Sequence, residues 1–143
     1  MAASSPVPAF ADTFCEWVEA LWFGERDAAT ARLEALVALP GEVVLAGALG
    51  VVRLLVGGRD PEAVAEAVAS HLIVGRPDPP RRALIADVVR MGAPGTSPAE
   101  RTVLLARHGA AVVSASALEC ASFLTQVEAE RQGVIPSAVL AGL

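Results

Sequence analysis

Lysine, asparagine and tyrosine are absent from this chain of 143 residues, and all eleven basic side chains are arginine. Without lysine there is no Schiff-base chemistry and no phosphate-loop lysine. Without tyrosine there is no phenolic acid or oxyanion donor, and without asparagine no N-glycosylation site. Aromatic residues are scarce, four Phe and two Trp, so Ala, Val and Leu must build the core. Such side chains let helices approach closely, but each buries less area than a Phe or Trp. The two cysteines, Cys15 and Cys120, form no CxxC and no metal-ligand spacing. They read as reduced, structural thiols.

The opening MAASSPVPAFADTF has neither the basic start nor the continuous apolar stretch of a signal peptide. The most apolar run, Val43 to Val56, is interrupted by Arg53 and is shorter than the ~20 residues that span a bilayer. The expectation is a cytoplasmic protein outside the membrane. Motifs are missing as well. No GxGxxG, GxxxxGK[ST], HExxH, GxSxG, paired CxxC or DxDxDG occurs. Neither His71 nor His108 has a Glu three residues before it, as a di-iron bundle would require. No cofactor is expected.

What is present is apolar: 54% of residues are hydrophobic and 19% charged, with mean hydropathy +0.52. That composition belongs to a folded domain, not to a disordered chain, and the length suits one core. The net charge of −5 argues against a nucleic-acid partner, which would need a basic footprint. The charge is uneven: residues 1–66 carry ten acids against four arginines. From Arg76 to Arg107 six arginines face three acids, Asp78, Asp87 and Glu100, the one stretch suited to an anion. Salt pairing on helix surfaces is the plainer reading of such a run.

Periodicity predicts helices throughout and no strand. A loose arm is expected over 1–8. A first helix over 9–23 places Phe10, Phe14, Trp17, Val18, Leu21 and Trp22 on one face. Asp27 is expected to cap a helix over 28–39, with Leu33, Leu36 and Val37 inward. The segment 42–56 is apolar nearly all round, which predicts a central buried helix. Its Ala46, Gly47 and Gly50 form a notch for another helix. Asp60-Pro61-Glu62 starts a helix to about Val74. A rigid RPDPP linker leads to another over 80–91. Ser97-Pro98-Ala99-Glu100 opens a helix by a capping box, running to about Val113. Ser116-Ala117-Leu118-Glu119 repeats that pattern and is expected to open the next, to Gln132. One long rod broken near Gly109 or 114–116 is the alternative. A short helix over 136–142 closes the chain. The fold expected is an all-α, single-domain bundle of six to eight helices over 9–143.

Function is less legible. The leading expectation is a non-enzymatic interaction or regulatory module that self-associates as a homodimer or binds a protein partner. It rests on the missing catalytic motifs and on an apolar excess that one small domain would not fully bury. Trp17, Trp22 and Phe23 are the candidate interface. The alternative is a small-molecule enzyme or ligand-binding bundle with an apolar pocket. It would use His71 and His108, both placed on inner helix stripes, with Cys120 or Glu119 nearby and Arg81 and Arg82 for an anionic ligand group. Two core histidines are the plainer reading of that pair, and solvated surface the plainer reading of Glu16 and Glu19.

Overall fold

A computed structural model describes residues 6–143, with side chains from Ala9 onward. Those residues form eight helices and no strand. They are α1 (Pro6–Trp22), α2 (Arg26–Val37), α3 (Gly41–Val56), α4 (Pro61–Leu72), α5 (Pro79–Gly92), α6 (Pro98–His108), α7 (Ala110–Gln132) and α8 (Pro136–Ala141). The all-α single-domain bundle is therefore observed. Helix α1 begins at Pro6, inside the stretch expected to be a loose arm; residues 1–5 of that arm lie outside the described residues.

Helix starts follow local chemistry. The Asp60 carboxylate accepts from Glu62 N at 3.3 Å, with Pro61 in the first turn. Ser97 Oγ accepts from Glu100 N at 3.2 Å, as its capping box requires. Asp78 lies in the RPDPP segment expected to be a linker, yet its carboxylate accepts from Arg81 N at 3.1 Å and caps α5. Two expected caps are corrected. Asp27 lies within the first turn of α2, where its charge meets the positive end of the helix dipole without a capping bond. Ser116 is buried in mid-helix, because α7 has already started at Ala110. The chain breaks at Gly109, whose φ of +88° suits glycine and few other residues.

Helices α3 and α7 form the most extensive pair and the centre of the bundle, with α5, α1 and α8 packed around them. Val44, Ala48, Val52, Leu55 and Val56 of α3 are buried. So is a long series on α7 that includes Val113, Ala117, Cys120, Ala121, Leu124 and Ala129. Small residues set these distances. A Cβ at Gly92, the last residue of α5, would lie 2.6 Å from Val52 Cγ1, so this glycine lets α5 press on α3. Thr125, fully buried in α7, donates its hydroxyl to the Ala121 carbonyl at 2.7 Å. Its polar atom is thus satisfied without leaving the helix.

Helix α1 buries Phe10, Phe14, Trp17, Val18 and Ala20. Phe10 and Phe14 stack with ring centroids 5.5 Å apart, and Trp17 meets Phe14 edge-on at 5.9 Å. Leu21, expected inward, is exposed. Helix α2 packs along α1 but buries little of itself. It buries only Ala29 and Leu36, while Leu33 and Val37, both expected inside, are exposed because nothing packs over that end. Helix α8 is joined to α1 by Glu19, whose Oε1 accepts from Ser137 N at 3.3 Å. Helix α7, with 23 residues, is long and apolar enough to cross a membrane by length and composition; half of that apolar window is buried inside the fold.

Candidate functional site

Packing uses only part of the surface of α3, which is apolar on nearly every side. Two of its faces meet α7 and α5. The remaining side carries Val43, Ala46, Gly50 and Leu54, and Leu54 is 57% exposed. Exposure of that kind in a mid-chain helix leaves apolar area in water.

This side of α3 is the floor of a groove. Phe10 and Phe14 of α1 form one wall, and Leu140 and Leu143 close the C-terminal side. The groove encloses about 510 Å³. Its lining is aliphatic or aromatic except for Glu42 at the N-terminal end of α3. Phe10 reaches its position because Gly47 has no side chain. A Cβ there would lie 2.4 Å from Phe10 Cδ1. The notch read from Ala46, Gly47 and Gly50 is thus half filled. Phe10 occupies Gly47, while a Cβ at Gly50 would touch nothing within 4 Å.

On the other flank of the exposed crest lies a second cleft of about 240 Å³, lined by Ala46, Leu49, Gly50, Arg53, Met91, Gly92 and Arg101. Among the described residues neither Arg53 nor Arg101 pairs with an acid. Arg101 Nε is buried with no hydrogen-bond acceptor.

The two histidines do not share a pocket. His71, expected on an inner stripe, is exposed near the end of α4, where its ring stacks on Phe123 of α7 at 4.4 Å. It borders a cleft of about 190 Å³ with Glu119, Gln126 and Trp17. His108 is partly buried at the end of α6, and its Nε2 lies 2.6 Å from Asp87 Oδ2 of α5. Arg107 donates to the same carboxylate oxygen at 3.1 Å. Neither histidine lines the apolar groove.

The arginines named for an anion are engaged within the fold. Arg81 donates to the Leu72 carbonyl at 3.2 Å and to Glu119 at 2.7 Å, which links α4, α5 and α7. Arg82 donates to Glu66 at 2.6 Å. Arg90 lies between Glu62 and Glu100, at 3.8 and 3.9 Å. The basic middle segment therefore meets carboxylates of its own chain at most of its positions.

The thiols are held protonated. Burial pushes Cys120 up to about 12, although a hydrogen bond with Ser116 pulls the other way. Cys15 is raised by burial first, then by the charges of Glu19, Glu16 and Asp12. A nucleophilic thiolate needs the opposite surroundings. Among the described residues no three His, Cys, Asp or Glu side chains gather as a metal site would need.

Of the aromatic residues named as an interface, Trp17 is buried in the core of its own chain and Trp22 is half-buried. Phe23 alone is well exposed, at 58%. The groove is built instead from the opposite end of α1. Its signal in the sequence was the apolar surplus of α3, which exceeds what one buried face requires.

No protein-family model, curated protein or solved structure matches this chain.

Proposed function

We propose that this chain is a non-enzymatic interaction module, and that its docking surface is the apolar groove between α1, α3 and α8. The observation that carries this reading is the open, almost wholly apolar floor of α3, with Leu54 exposed at its crest. An amphipathic helix is the partner element that fits such a trough, because its aliphatic side chains can enter at helical spacing. A cytoplasmic setting goes with this reading, since half of the apolar window of α7 is already used within the fold.

A second reading has support from the size of the groove. A volume of about 510 Å³ falls in the range of small-molecule sites, roughly 300–1,000 Å³. A ligand there would be apolar and uncharged or cationic at its end, because Glu42 is the charge it would meet. His71 and His108 would have no part in holding it, as both lie elsewhere.

Two variants separate these readings from a merely structural role for the groove. Leu54→Asp and Val43→Asp place a carboxylate in the trough while leaving the buried face of α3 intact. Binding would be followed by fluorescence anisotropy with labelled aliphatic-faced helical peptides that carry arginine at one end. Wild-type binding weakened at least tenfold by either variant supports a docking module. Failure to bind any such peptide or a second copy of the chain, with stoichiometric uptake of decanol, would transfer the site to a small apolar ligand.

A further inference from the structure

We propose that the occupant of this groove is a second copy of the same chain, with α3 packed antiparallel on α3 of its partner about a two-fold axis. This rests on the docking reading above and deepens it by naming the partner.

The argument is one of self-complementarity. Glu42 and Arg53 are both exposed and stand eleven positions apart. At 3.6 residues per turn that is about three turns, roughly 16 Å along the axis and only about 20° apart around it. They therefore mark the two ends of one edge of the exposed stripe. Between them the stripe is small and apolar, through Ala46 and Gly50, with Val43 and Leu54 on its groove side.

A two-fold axis level with Ala48 reverses one helix on the other. It brings Ala46 of each copy against Gly50 of the other. It also sets Glu42 of each copy beside Arg53 of the other, because such a rotation keeps the charged edge on the same side. A parallel two-fold pairing would carry the charged edges to opposite sides of the seam, so that Glu42 and Arg53 of the two copies would not meet. The charges thus select one of the two arrangements, as in other isologous interfaces.

Two observations make the surface one that asks for a cover. Arg53 pairs with no acid among the described residues, and Arg101 beside it has a buried Nε without an acceptor. An incoming Glu42 would supply a carboxylate at that place. Gly50 has open space above it, which permits the close approach that a crossing of two helices requires. Leu54 and Val43 then enter the partner's groove, where Phe10 and Phe14 form the wall.

The test is sedimentation velocity of the full chain between about 1 and 100 μM, with circular dichroism to confirm that each variant is folded. Wild type is expected to form dimers. Glu42→Arg and Arg53→Glu are expected to weaken pairing at least tenfold each, since both put like charges together. Mixing the two variants is expected to restore pairing as a heterodimer, because each then carries the charges the other needs. Gly50→Leu, whose Cβ would have nothing within 4 Å in its own chain, is expected to abolish pairing, with circular dichroism confirming that the fold is kept. A wild type that stays monomeric overturns the inference. So does a dimer that tolerates both charge reversals and Gly50→Leu. If the monomer still binds helical peptides through Leu54, self-pairing fails and the docking module stands. Native mass spectrometry that finds a retained small molecule on a monomer would overturn both.

Discussion

Gly50 and Gly92 both stand in helices, and alanine at the two positions should move stability in opposite directions. Glycine inside a helix is less favourable than alanine by roughly 0.5–1 kcal/mol, chiefly through chain entropy. At Gly50 a new methyl group would meet nothing within 4 Å, so the substitution is expected to stabilise the monomer by about that amount. At Gly92 the same methyl group would sit 2.6 Å from Val52 Cγ1 and 3.1 Å from Val52 Cβ. Ordinary carbon contacts lie near ~3.5–4.0 Å, so the overlap approaches 1 Å. Val52 is fully buried, and a β-branched side chain in a helix has little freedom to turn away. Overpacking of this kind costs about 1–3 kcal/mol. After the entropic gain, Gly92→Ala should destabilise by about 0.5–2 kcal/mol, and the two variants should differ by the overpacking cost, about 1–3 kcal/mol. Urea unfolding at a single, dilute protein concentration is the assay, because self-association would make apparent stability depend on concentration. In a thermal scan the gap corresponds to the order of 3–10 °C at this chain length. A Gly92→Ala protein as stable as Gly50→Ala would refute the close approach of α5 to α3.

Other expectations concern the polar groups. His108→Ala removes one of two donors to the partly buried Asp87 and should lower stability by about 1–2 kcal/mol; His71→Ala, at an exposed ring, should cost less, and equal losses in urea titrations would contradict these placements. Iodoacetamide should label Cys15 slowly at pH 8 and Cys120 only after unfolding, since both thiols are raised and Cys120 stands at about 12. Burial keeps Cys120 neutral, so its contribution to stability is complete below the ordinary thiol value of 9.0 and fades as pH climbs toward about 12. Rapid labelling of Cys120 in the native protein would contradict its burial.

The sequence made most helices legible because their ends are written in local chemistry. Asp60, Ser97, Gly109 and Gly133 act through bonds or dihedral angles that involve only near neighbours. Asp78 and Ser116 show the limit. The same residue types serve as a cap at one place and as part of a helix interior at another, and the difference lies in the packing of distant segments. Periodicity also assigns a face without saying whether anything covers it. Leu33 and Val37 lie on the apolar side of α2, yet no helix reaches them. The groove was hidden for the same reason. That α3 is apolar all round was plain, but which of its sides the other helices would leave open depends on the crossing of α1 and the return of α8. His71 and His108 sit at the ends of their helices, where an inward stripe no longer ensures a neighbouring helix.

Glu19 and Ser137, which hold α1 and α8 together, are 118 positions apart in the chain. The order of synthesis therefore separates the walls of the groove. Phe10 and Phe14 emerge first, the floor of α3 next, and Leu140 and Leu143 only after every other helix described. A nascent chain that has made α1 and α3 alone exposes this apolar surface without the wall that Leu140 and Leu143 supply. Closing so long a loop adds little to the entropy already lost in closing a shorter one, but such distant contacts slow folding. The walls of the groove therefore come together only when α8 returns to α1, and the bond between Ser137 and Glu19 ties the two walls to each other.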